Sequence, residues 1–467
     1  MCRVLLFSVV LAQAAQAALP EPVSKALRDA GLPEDAVAVY ARRVDEPAPL
    51  IAHRADQSMH PASVMKLVTS YAALDLLGPA YAWRTELYAD GEVEDEVLDG
   101  HLVIKGYGDP SLDLERFWNL LRMLRQKGVR DIRGDLVLDA SFFAPAPHDP
   151  GAFDGEPYRA YNAGPNALLV NYRTTRFQFT GDAALGRVQI SADPDFPQMR
   201  IDNRLTLRQG PCGDWKDRLG YRVETHNGLV TVTFSGHYSL ACGVKSLDLV
   251  VMDDASYILH LFKRLWREQG GSFGGVLRSG SVPPGARPLV QASSPPLAEV
   301  VRSVNKYSNN LMARQLLLTI GAERYGMPGS EAAGVRAVTG WLERLGMRFP
   351  ELVIENGSGL SRNERISAQH LGELLIHAFG SPVMSELMSS LPVAAVDGTL
   401  RQRMKQSGVA GRAHMKTGSV NGSRALAGYL LDASGRRWVV VFMAGHPNAA
   451  ASRTAQDALL DYLYALQ

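Results

Sequence analysis

The stretch PASVMKLVTSYAALDLLGP, residues 61–79, decides how the rest of this chain is organised. A proline at its start and a glycine followed by proline at its end predict a single helix. Apolar residues occupy nearly all faces of this helix, which predicts a position in the middle of the protein. Ser63 and Lys66 nevertheless lie three residues apart, on one side of the helix and near its start.

Two interpretations of this serine and lysine remain open from the stretch alone. A buried lysine is unfavourable unless it is paired or neutral. Lys66 could therefore face a cleft beside Ser63, where a lowered pKa would let the amine take the hydroxyl proton. Alternatively, the ammonium of Lys66 reaches solvent and Ser63 caps the helix.

Length and composition describe a folded protein with more than one domain. At 467 residues the chain exceeds what one hydrophobic core usually supports. Hydrophobic residues make up 46% and charged residues 21%, which is typical of folded proteins. The net charge of +1 gives no electrostatic basis for binding nucleic acid or an anionic membrane.

The first 17 residues have the pattern of a secretory signal peptide. Arg3 precedes an apolar run at 4–12, and Ala15-Gln16-Ala17 matches a cleavage site. The alternative is a short buried helix at the N-terminus. No later run reaches the roughly 18 apolar residues that a membrane span needs. We therefore expect a mature protein without a transmembrane segment in the periplasm or another extracytoplasmic compartment.

Cys212 and Cys242 remain after Cys2 is removed with the signal peptide. An even pair in an exported chain predicts a disulfide, and two free buried thiols are the alternative. Closing a loop of about thirty residues would stabilise its region by roughly 3–4 kcal/mol in a chain-entropy description.

The order of predicted elements indicates an α/β domain that is interrupted by an insertion. A strand hairpin at 36–53 precedes the 61–79 helix, a long helical part is predicted at 296–324, and the C-terminal part combines strands with a closing helix. The intervening region around both cysteines is nearly all strand, which predicts a small β module. We predict these parts: a signal peptide at 1–17, a discontinuous domain of 18–85 plus 289–467, an inserted domain of 86–172 plus 245–288, and the β module at 173–244 nested in the insertion.

Three short motifs follow one another along the chain and together indicate serine acyl-transfer chemistry. S-x-x-K at Ser63 is followed by Ser308-Asn309-Asn310 and then by Lys416-Thr417-Gly418. Each motif is weak alone, since a second S-x-x-K begins at Ser303. The ordered set, however, is close to that of penicillin-binding proteins and serine β-lactamases.

On these motifs the chain resembles the class C low-molecular-mass penicillin-binding proteins, the D-alanyl-D-alanine carboxypeptidase/endopeptidase family. The resemblance covers essentially the whole mature chain. Further stretches that share it are GYGDP at 106–110, GPNAL at 164–168, NGSGLSR at 356–362 and DGTL at 397–400. It implies the α/β transpeptidase-like fold of penicillin-binding proteins and serine β-lactamases, an antiparallel sheet flanked by helices, with a nested β-rich insertion. It also implies that no cofactor is needed.

The resemblance assigns roles to the first two motifs. Ser63 would be the nucleophile, and Lys66 would be its base if burial and a neighbouring cation keep the amine neutral. Ser308 would help pass a proton to the leaving amine, and Asn310 would contact the acyl-side amide and the lysine. Asn309 stands where family members often carry aspartate, a change that concerns the support of the loop more than the chemistry.

The third motif would bind the substrate. Lys416 would supply positive charge for the terminal carboxylate, with the hydroxyl of Thr417 beside it and Gly418 completing the motif. The backbone N–H groups of Ser63 and Ser419 would form the oxyanion hole.

Other kinds of site have weaker support in the sequence. The eleven histidines show no H-E-x-x-H or H-x₃₋₅-H spacing, so we predict no metal site. The stretch at 270–274 matches G-x-S-x-G, but a nucleophile elbow needs a strand before it and a helix after it.

We therefore expect a secreted serine DD-peptidase that acts on peptidoglycan peptides and is acylated by β-lactams. A serine β-lactamase is the alternative, disfavoured by the large insertion between the first and second motifs. A non-catalytic cell-wall-binding protein is a second alternative, disfavoured by the retention of all three motifs. The sequence leaves the balance of carboxypeptidase and endopeptidase action open, together with the stem-peptide preference, the role of the β module and the oligomeric state.

Overall fold

The computed structural model describes residues 18–466, so the predicted signal peptide lies outside the described residues. The chain forms two compact units. The first contains the described residues up to Val68, Phe349–Val353 and the chain from Asn363 onward. The second contains Thr69–Arg348 and Ile354–Arg362. The first unit is thus built mainly from both ends of the chain, while the predicted domain boundaries remain predictions.

Both units contain helices and strands. The α-helices of residues 18–466 are α1 (Glu21–Asp29), α2 (Met65–Leu77), α3 (Leu114–Gln126), α4 (Asp254–Glu268), α5 (Leu297–Lys306), α6 (Asn310–Tyr325), α7 (Glu331–Arg344), α8 (Ala368–Phe379), α9 (Met384–Ser390) and α10 (Arg453–Ala465). The strands are β1 (Val37–Arg43), β2 (Ile51–His53), β3 (Ser58–Met59), β4 (Arg84–Glu94), β5 (Val97–Gly106), β6 (Asp131–Ile132), β7 (Leu136–Asp139), β8 (Thr175–Asp182), β9 (Arg187–Asp193), β10 (Met199–Arg208), β11 (Leu219–His226), β12 (Leu229–Ser239), β13 (Val244–Leu249), β14 (Ser272–Phe273), β15 (Leu277–Ser279), β16 (Val290–Ser293), β17 (Ile366–Ser367), β18 (Ala413–Val420), β19 (Ser423–Leu431) and β20 (Arg437–Gly445).

The first unit is organised around an antiparallel sheet in the order β18-β19-β20-β1-β2. Side chains alternate between the faces of a strand, so the two faces of β1 pack against different helices. Val39 belongs to a core shared with α1 and α10. On the other face, a Cβ added at Gly372 of α8 would lie 2.3 Å from the ring of Tyr40, so α8 packs directly on β1. This confirms the expected fold class, an antiparallel sheet flanked by helices.

The second unit contains two further sheets. One has six strands in the order β11-β12-β10-β9-β8-β13, with β10 and β12 parallel and the other pairs antiparallel. The predicted disulfide joins Cys212 and Cys242 beside this sheet, across a sequence separation of 30. The other is a seven-stranded mixed sheet built on β4 and β5. A β-rich insertion is therefore present, as the resemblance implies.

The 61–79 stretch is helical but not uniform. A 3-10 turn, Ala62–Val64, leads into α2, and Gly78 follows the helix with a φ of 85°. The apolar side chains of α2 from Met65 to Leu74 are buried, which explains why the sequence shows no polar face. The long helical part predicted at 296–324 consists of two helices, because Ser308 has a φ of 57° that a continuing helix does not allow.

Within residues 18–466, every helix is too short or too polar to cross a membrane.

Candidate active site

Ser63 lies in the strained turn that begins the helical stretch at 61–79. Ala62, immediately before it, has a φ of 46°, a left-handed conformation that costs a non-glycine residue about 1–3 kcal/mol. Two hydrogen bonds hold the turn. The N–H of Ala62 donates to Nδ1 of His60 at 3.0 Å, and the hydroxyl of Ser423 donates to the backbone oxygen of His60 at 2.7 Å. Because such strain persists only where surrounding contacts enforce it, the position of Ser63 is closely defined.

Lys66 is completely buried one turn further on, and its Nζ donates to Oγ of Ser63 at 3.0 Å. Burial lowers the pKa of Lys66 to about 7, whereas the negative charge of Glu364 acts in the opposite direction. A substantial fraction of the amine is therefore neutral near neutral pH. The structure supports the first of the two interpretations, in which the lysine can serve as a base for the serine.

Lys416 is the second buried amine of the first unit. It lies on β18, and its Nζ donates to the backbone oxygen of Thr417 at 2.8 Å. Burial lowers the pKa of Lys416 well below its ordinary value, and the positive charge of Lys66 lowers it further. The two amines therefore disfavour each other's charge, as expected for like charges in a site of low polarity.

Strand β18 lies at the edge of its sheet, so every second backbone N–H group of this strand points away from the neighbouring strand β19. The N–H of Met415 donates outward to the backbone oxygen of Pro392 at 2.8 Å. Because backbone direction alternates along a strand, the N–H groups of Thr417 and Ser419 point to the same side. Ser419 thus offers its N–H at the open edge, where the oxyanion-hole prediction requires it.

Gly418 is the point at which β18 passes next to the nucleophile turn. A Cβ at this position would lie 2.8 Å from the backbone oxygen of Pro61 and 2.9 Å from the backbone nitrogen of Ser63. Only glycine permits this approach, which brings the third motif against the first. The arrangement fits an oxyanion hole made by the N–H groups of Ser63 and Ser419.

The second motif lies in the second unit, at the junction of α5 and α6. Ser308 adopts the left-handed conformation between these helices. Oδ1 of Asn309 accepts the N–H of Met312 at 3.0 Å and so caps α6. Asparagine caps helices as well as aspartate does, which accounts for its presence in this loop. Asn310 begins α6, and its Nδ2 donates to the backbone oxygen of Tyr161 at 3.2 Å.

Two of the stretches that resemble the family support α6. Nε2 of the buried Gln315 donates to the backbone oxygens of Gly108 at 3.3 Å and Asn166 at 2.9 Å. These oxygens belong to the 106–110 and 164–168 loops. The loops therefore hold the helix that carries Asn310.

The 356–362 loop is closed by its own polar groups. Oδ1 of Asn356 accepts the N–H of Ser358 at 3.0 Å, and Nδ2 of Asn356 donates to the backbone oxygen of Leu360 at 2.9 Å. The hydroxyl of Thr69, in α2, donates to the backbone oxygen of Gly357 at 2.7 Å. The loop is thereby fastened to the part of α2 that belongs to the second unit.

The structure thus places Ser63, Lys66, Lys416 and Gly418 together in the first unit, and Ser308 and Asn310 in the second. The competing serine, Ser303, lies within α5. The G-x-S-x-G stretch forms β14 after α4 and is followed by β15 rather than by a helix, so it lacks the context of a nucleophile elbow. Among residues 18–466, no group of three or more His, Cys, Asp or Glu side chains could hold a metal ion.

Two residues of the site were not predicted. Glu364 is completely buried and raises the pKa of Lys66 through its charge, yet it lies in a loop without hydrophobic periodicity. Thr399 shares a hydrogen bond of 2.8 Å with the hydroxyl of Thr417. It belongs to the DGTL stretch at 397–400, so the resemblance offered a signal for Thr399 but none for Glu364.

Comparison with known proteins agrees with this architecture. The model of the D-Ala-D-Ala carboxypeptidase 3 (S13) family matches residues 19–466. The D-alanyl-D-alanine carboxypeptidase of Actinomadura sp. (strain R39) is 31% identical over 86% of this chain and 76% of its own length. D-alanyl-D-alanine carboxypeptidase DacB of Haemophilus influenzae is 25% identical over 92% of this chain and 90% of its own.

Solved structures show the same relationship. The crystal structure of penicillin binding protein 4 from Haemophilus influenzae superimposes with a TM-score of 0.78, at 25% identity, over 94% of this chain and 99% of that chain. A predatory peptidoglycan endopeptidase from Bdellovibrio bacteriovorus shares the fold, with a TM-score of 0.52 at 15% identity, over 92% of each chain. The resemblance inferred from the motifs is therefore confirmed: this chain belongs to the D-Ala-D-Ala carboxypeptidase 3 (S13) family, whose members are serine-type hydrolases.

Proposed function

We propose that this protein is an extracytoplasmic serine DD-peptidase, which cleaves D-alanyl-D-alanine-type bonds of peptidoglycan stem peptides through an acyl-enzyme at Ser63. The observation that carries the proposal is the hydrogen bond of 3.0 Å between Ser63 and a buried Lys66 whose pKa is lowered to about 7. An unactivated serine hydroxyl is a weak nucleophile toward an amide, and a neutral amine in contact with it supplies the missing base.

In the proposed acylation, Oγ of Ser63 attacks the carbonyl carbon while its proton moves to Nζ of Lys66. The N–H groups of Ser63 and Ser419 stabilise the oxyanion that forms. The C–N bond then breaks and the leaving amine takes up a proton, a step for which the second motif assigns Ser308. Asn310 would hold the acyl-side amide. Water afterwards hydrolyses the ester on Ser63 and restores the free enzyme.

Lys416 would bind the carboxylate that follows the scissile bond, beside the hydroxyls of Thr417 and Thr399. A bound carboxylate favours the ammonium form of Lys416. That charge in turn disfavours the ammonium form of Lys66, since the two amines interact. Substrate binding would therefore help to keep the base neutral at the moment it is needed.

The relatives support this assignment. The matching proteins of Haemophilus influenzae and Actinomadura are named as D-alanyl-D-alanine carboxypeptidases. Penicillin binding protein 4 of Haemophilus influenzae has also been solved in complex with a β-lactam. We accordingly propose β-lactams as inhibitors that acylate Ser63, and removal of residues 1–17 as a signal peptide on export.

The test is the intact mass of the purified mature protein over time after benzylpenicillin is added. We expect one stable adduct, which disappears in Ser63→Ala and persists in the matched control Ser303→Ala. The wild-type enzyme should also release D-alanine from a synthetic D-Ala-D-Ala peptide, and Ser63→Ala should not. An adduct that forms and is rapidly lost with continuing drug hydrolysis would instead indicate a β-lactamase. No adduct at all would reject Ser63 as the nucleophile and favour the non-catalytic alternative.

A further inference from the structure

A cavity of about 640 Å³ lies beside the second motif, entirely within the second unit. Ser308 and Asn310 contribute to its lining, and the six-stranded sheet contributes Arg176, Asp193 and Asp248. Volumes of about 300–1,000 Å³ are typical of sites for ligands much larger than one alanine. A leaving D-alanine is much smaller than this cavity, which therefore has room for a larger part of the peptidoglycan substrate.

Three tyrosines contribute to the lining of the cavity. Tyr161, Tyr172 and Tyr307 line it, and Tyr307 and Tyr161 are 76% and 43% exposed. Tyr161 is held in place by its hydroxyl, which donates to Asp154 at 2.9 Å. A tyrosine offers a rigid apolar face with a polar tip, the combination that packs against the face of a sugar ring.

The wall of the cavity includes a strained backbone segment. Asn171, Tyr172 and Arg173 have φ values of 50°, 52° and 57°, three consecutive left-handed residues without a glycine. The guanidinium of Arg173 pairs with Asp254 at 3.1 Å, and Nδ2 of Asn171 donates to the hydroxyl of Tyr257 at 2.8 Å. Strain that surrounding contacts enforce in this way is concentrated at ligand sites. Asn171 and Tyr172, two residues of this strained segment, line the cavity.

The charges of the cavity form one row across three strands. Arg176 of β8 stands opposite Asp193 of β9 and opposite Asp248 of β13. Its Nε donates to Oδ1 of Asp248 at 2.9 Å. The row carries an excess of one negative charge, which disfavours a phosphate-rich or carboxylate-rich ligand. Paired carboxylates and a guanidinium instead provide acceptors and donors for a neutral, hydroxylated ligand.

We propose that this cavity binds the neutral amino-sugar glycan of peptidoglycan, so that the enzyme recognises a stem peptide together with the sugar that carries it. The proposal rests on the proposed function, in which Ser308 and Asn310 act on the stem peptide. Sugar ring faces would pack on the tyrosines, and hydroxyl and acetamido groups would meet the Asp193–Arg176–Asp248 row and Asn171.

The experiment compares kcat/KM for one D-Ala-D-Ala stem peptide with and without its N-acetylglucosaminyl-N-acetylmuramyl disaccharide. We expect Tyr307→Ala and Asp193→Asn to lower kcat/KM about tenfold for the sugar-bearing substrate, the scale of one lost polar or stacking contact, and to leave the bare peptide unaffected. Matched controls outside the cavity are Tyr325→Ala, another exposed tyrosine, and Asp202→Asn, an aspartate of the same sheet paired with Arg204. Neither should distinguish the two substrates.

Equal losses on both substrates, or no loss on either, would overturn the glycan assignment. A loss of kcat/KM on a cross-linked peptide that lacks the sugar would also overturn the glycan assignment. It would favour a second stem peptide in the cavity. Calorimetry with soluble N-acetylglucosamine oligomers and the Ser63→Ala protein separates this proposal from the proposed function. Binding that Tyr307→Ala weakens would support the cavity even if the enzyme cleaved no peptide, and absence of binding by an active enzyme would reject the cavity alone.

Discussion

At the scale of single residues, Lys66 shows how burial changes the chemistry of a common side chain. An exposed lysine is almost fully protonated at neutral pH and cannot act as a base. Complete burial lowers the pKa of Lys66 from 10.5 to about 7, although the charge of Glu364 opposes the change. The chemistry attributed to Ser63 therefore depends on the surroundings of Lys66.

This pKa predicts the pH dependence of acylation. The neutral amine is the reactive form, so the rate constant for acylation by benzylpenicillin should rise as pH increases toward about 7 and level off above it. Well below the pKa, each pH unit changes the neutral fraction about tenfold. Stopped-flow or quenched mass measurements between about pH 5 and about pH 9 would follow the full transition. A rate independent of pH in this range would show that Lys66 is not the base.

Glu364 should set the midpoint of that profile. Its carboxylate favours the ammonium form of Lys66, so Glu364→Gln should lower the pKa of Lys66 and shift the acylation profile to lower pH. Glu373→Gln, which removes a carboxylate paired with Gln369, is the matched control and should leave the midpoint unchanged. A shift to higher pH in Glu364→Gln would contradict the assigned interaction.

At the scale of elements, the approach of β18 to the nucleophile turn depends on a missing side chain. In Gly418→Ala, the new Cβ would lie within 3.0 Å of three atoms of residues 61–63, so the strand or the turn must move. Misplacing one oxyanion-hole donor should lower the acylation rate about 10²–10³-fold. Gly380→Ala, with only one ordinary contact at 3.7 Å, is the control, and its acylation rate should match the wild type. An unchanged acylation rate in Gly418→Ala would show that catalysis does not depend on the close approach of β18 to the nucleophile turn.

The cap of α6 gives a prediction for stability. Asn309→Ala removes the side-chain acceptor for the N–H of Met312 and should lower the free energy of unfolding by about 1 kcal/mol. Asn309→Asp preserves an acceptor of equal quality and should retain the stability of the wild type. Urea denaturation of the three proteins measures the difference. Equal losses in both variants would show that the amide has a function other than capping.

At the scale of the whole molecule, the disulfide and the nucleophile belong to different compact units. Replacing Cys212 and Cys242 together by alanine should destabilise the region around the six-stranded sheet by roughly 3–4 kcal/mol, because the open loop gains entropy in the unfolded chain. Thermal unfolding would report the loss. Acylation of Ser63 by benzylpenicillin should persist at low temperature. If the double variant kept its stability but no longer reacted with benzylpenicillin, the disulfide would affect the nucleophile directly, contrary to this prediction.

The sequence by itself determined what local geometry and residue order control. It predicted the helical stretch that carries Ser63 and Lys66, the disulfide, and the family through three ordered motifs. The helical stretch is a local feature, and the cysteine pair and the order of the motifs can be read from the sequence without coordinates.

Only the tertiary structure decided what surrounds those residues. The lowered pKa of Lys66, the charge of Glu364, the close approach at Gly418 and the hydroxyl of Thr399 all join segments far apart in the chain. The break between α5 and α6 at Ser308 and the cavity beside it are likewise invisible to a helical pattern that continues across them. The physical reason is that burial and electrostatic fields arise from packing of the whole chain, whereas hydrophobic periodicity reports only on the element in which it occurs.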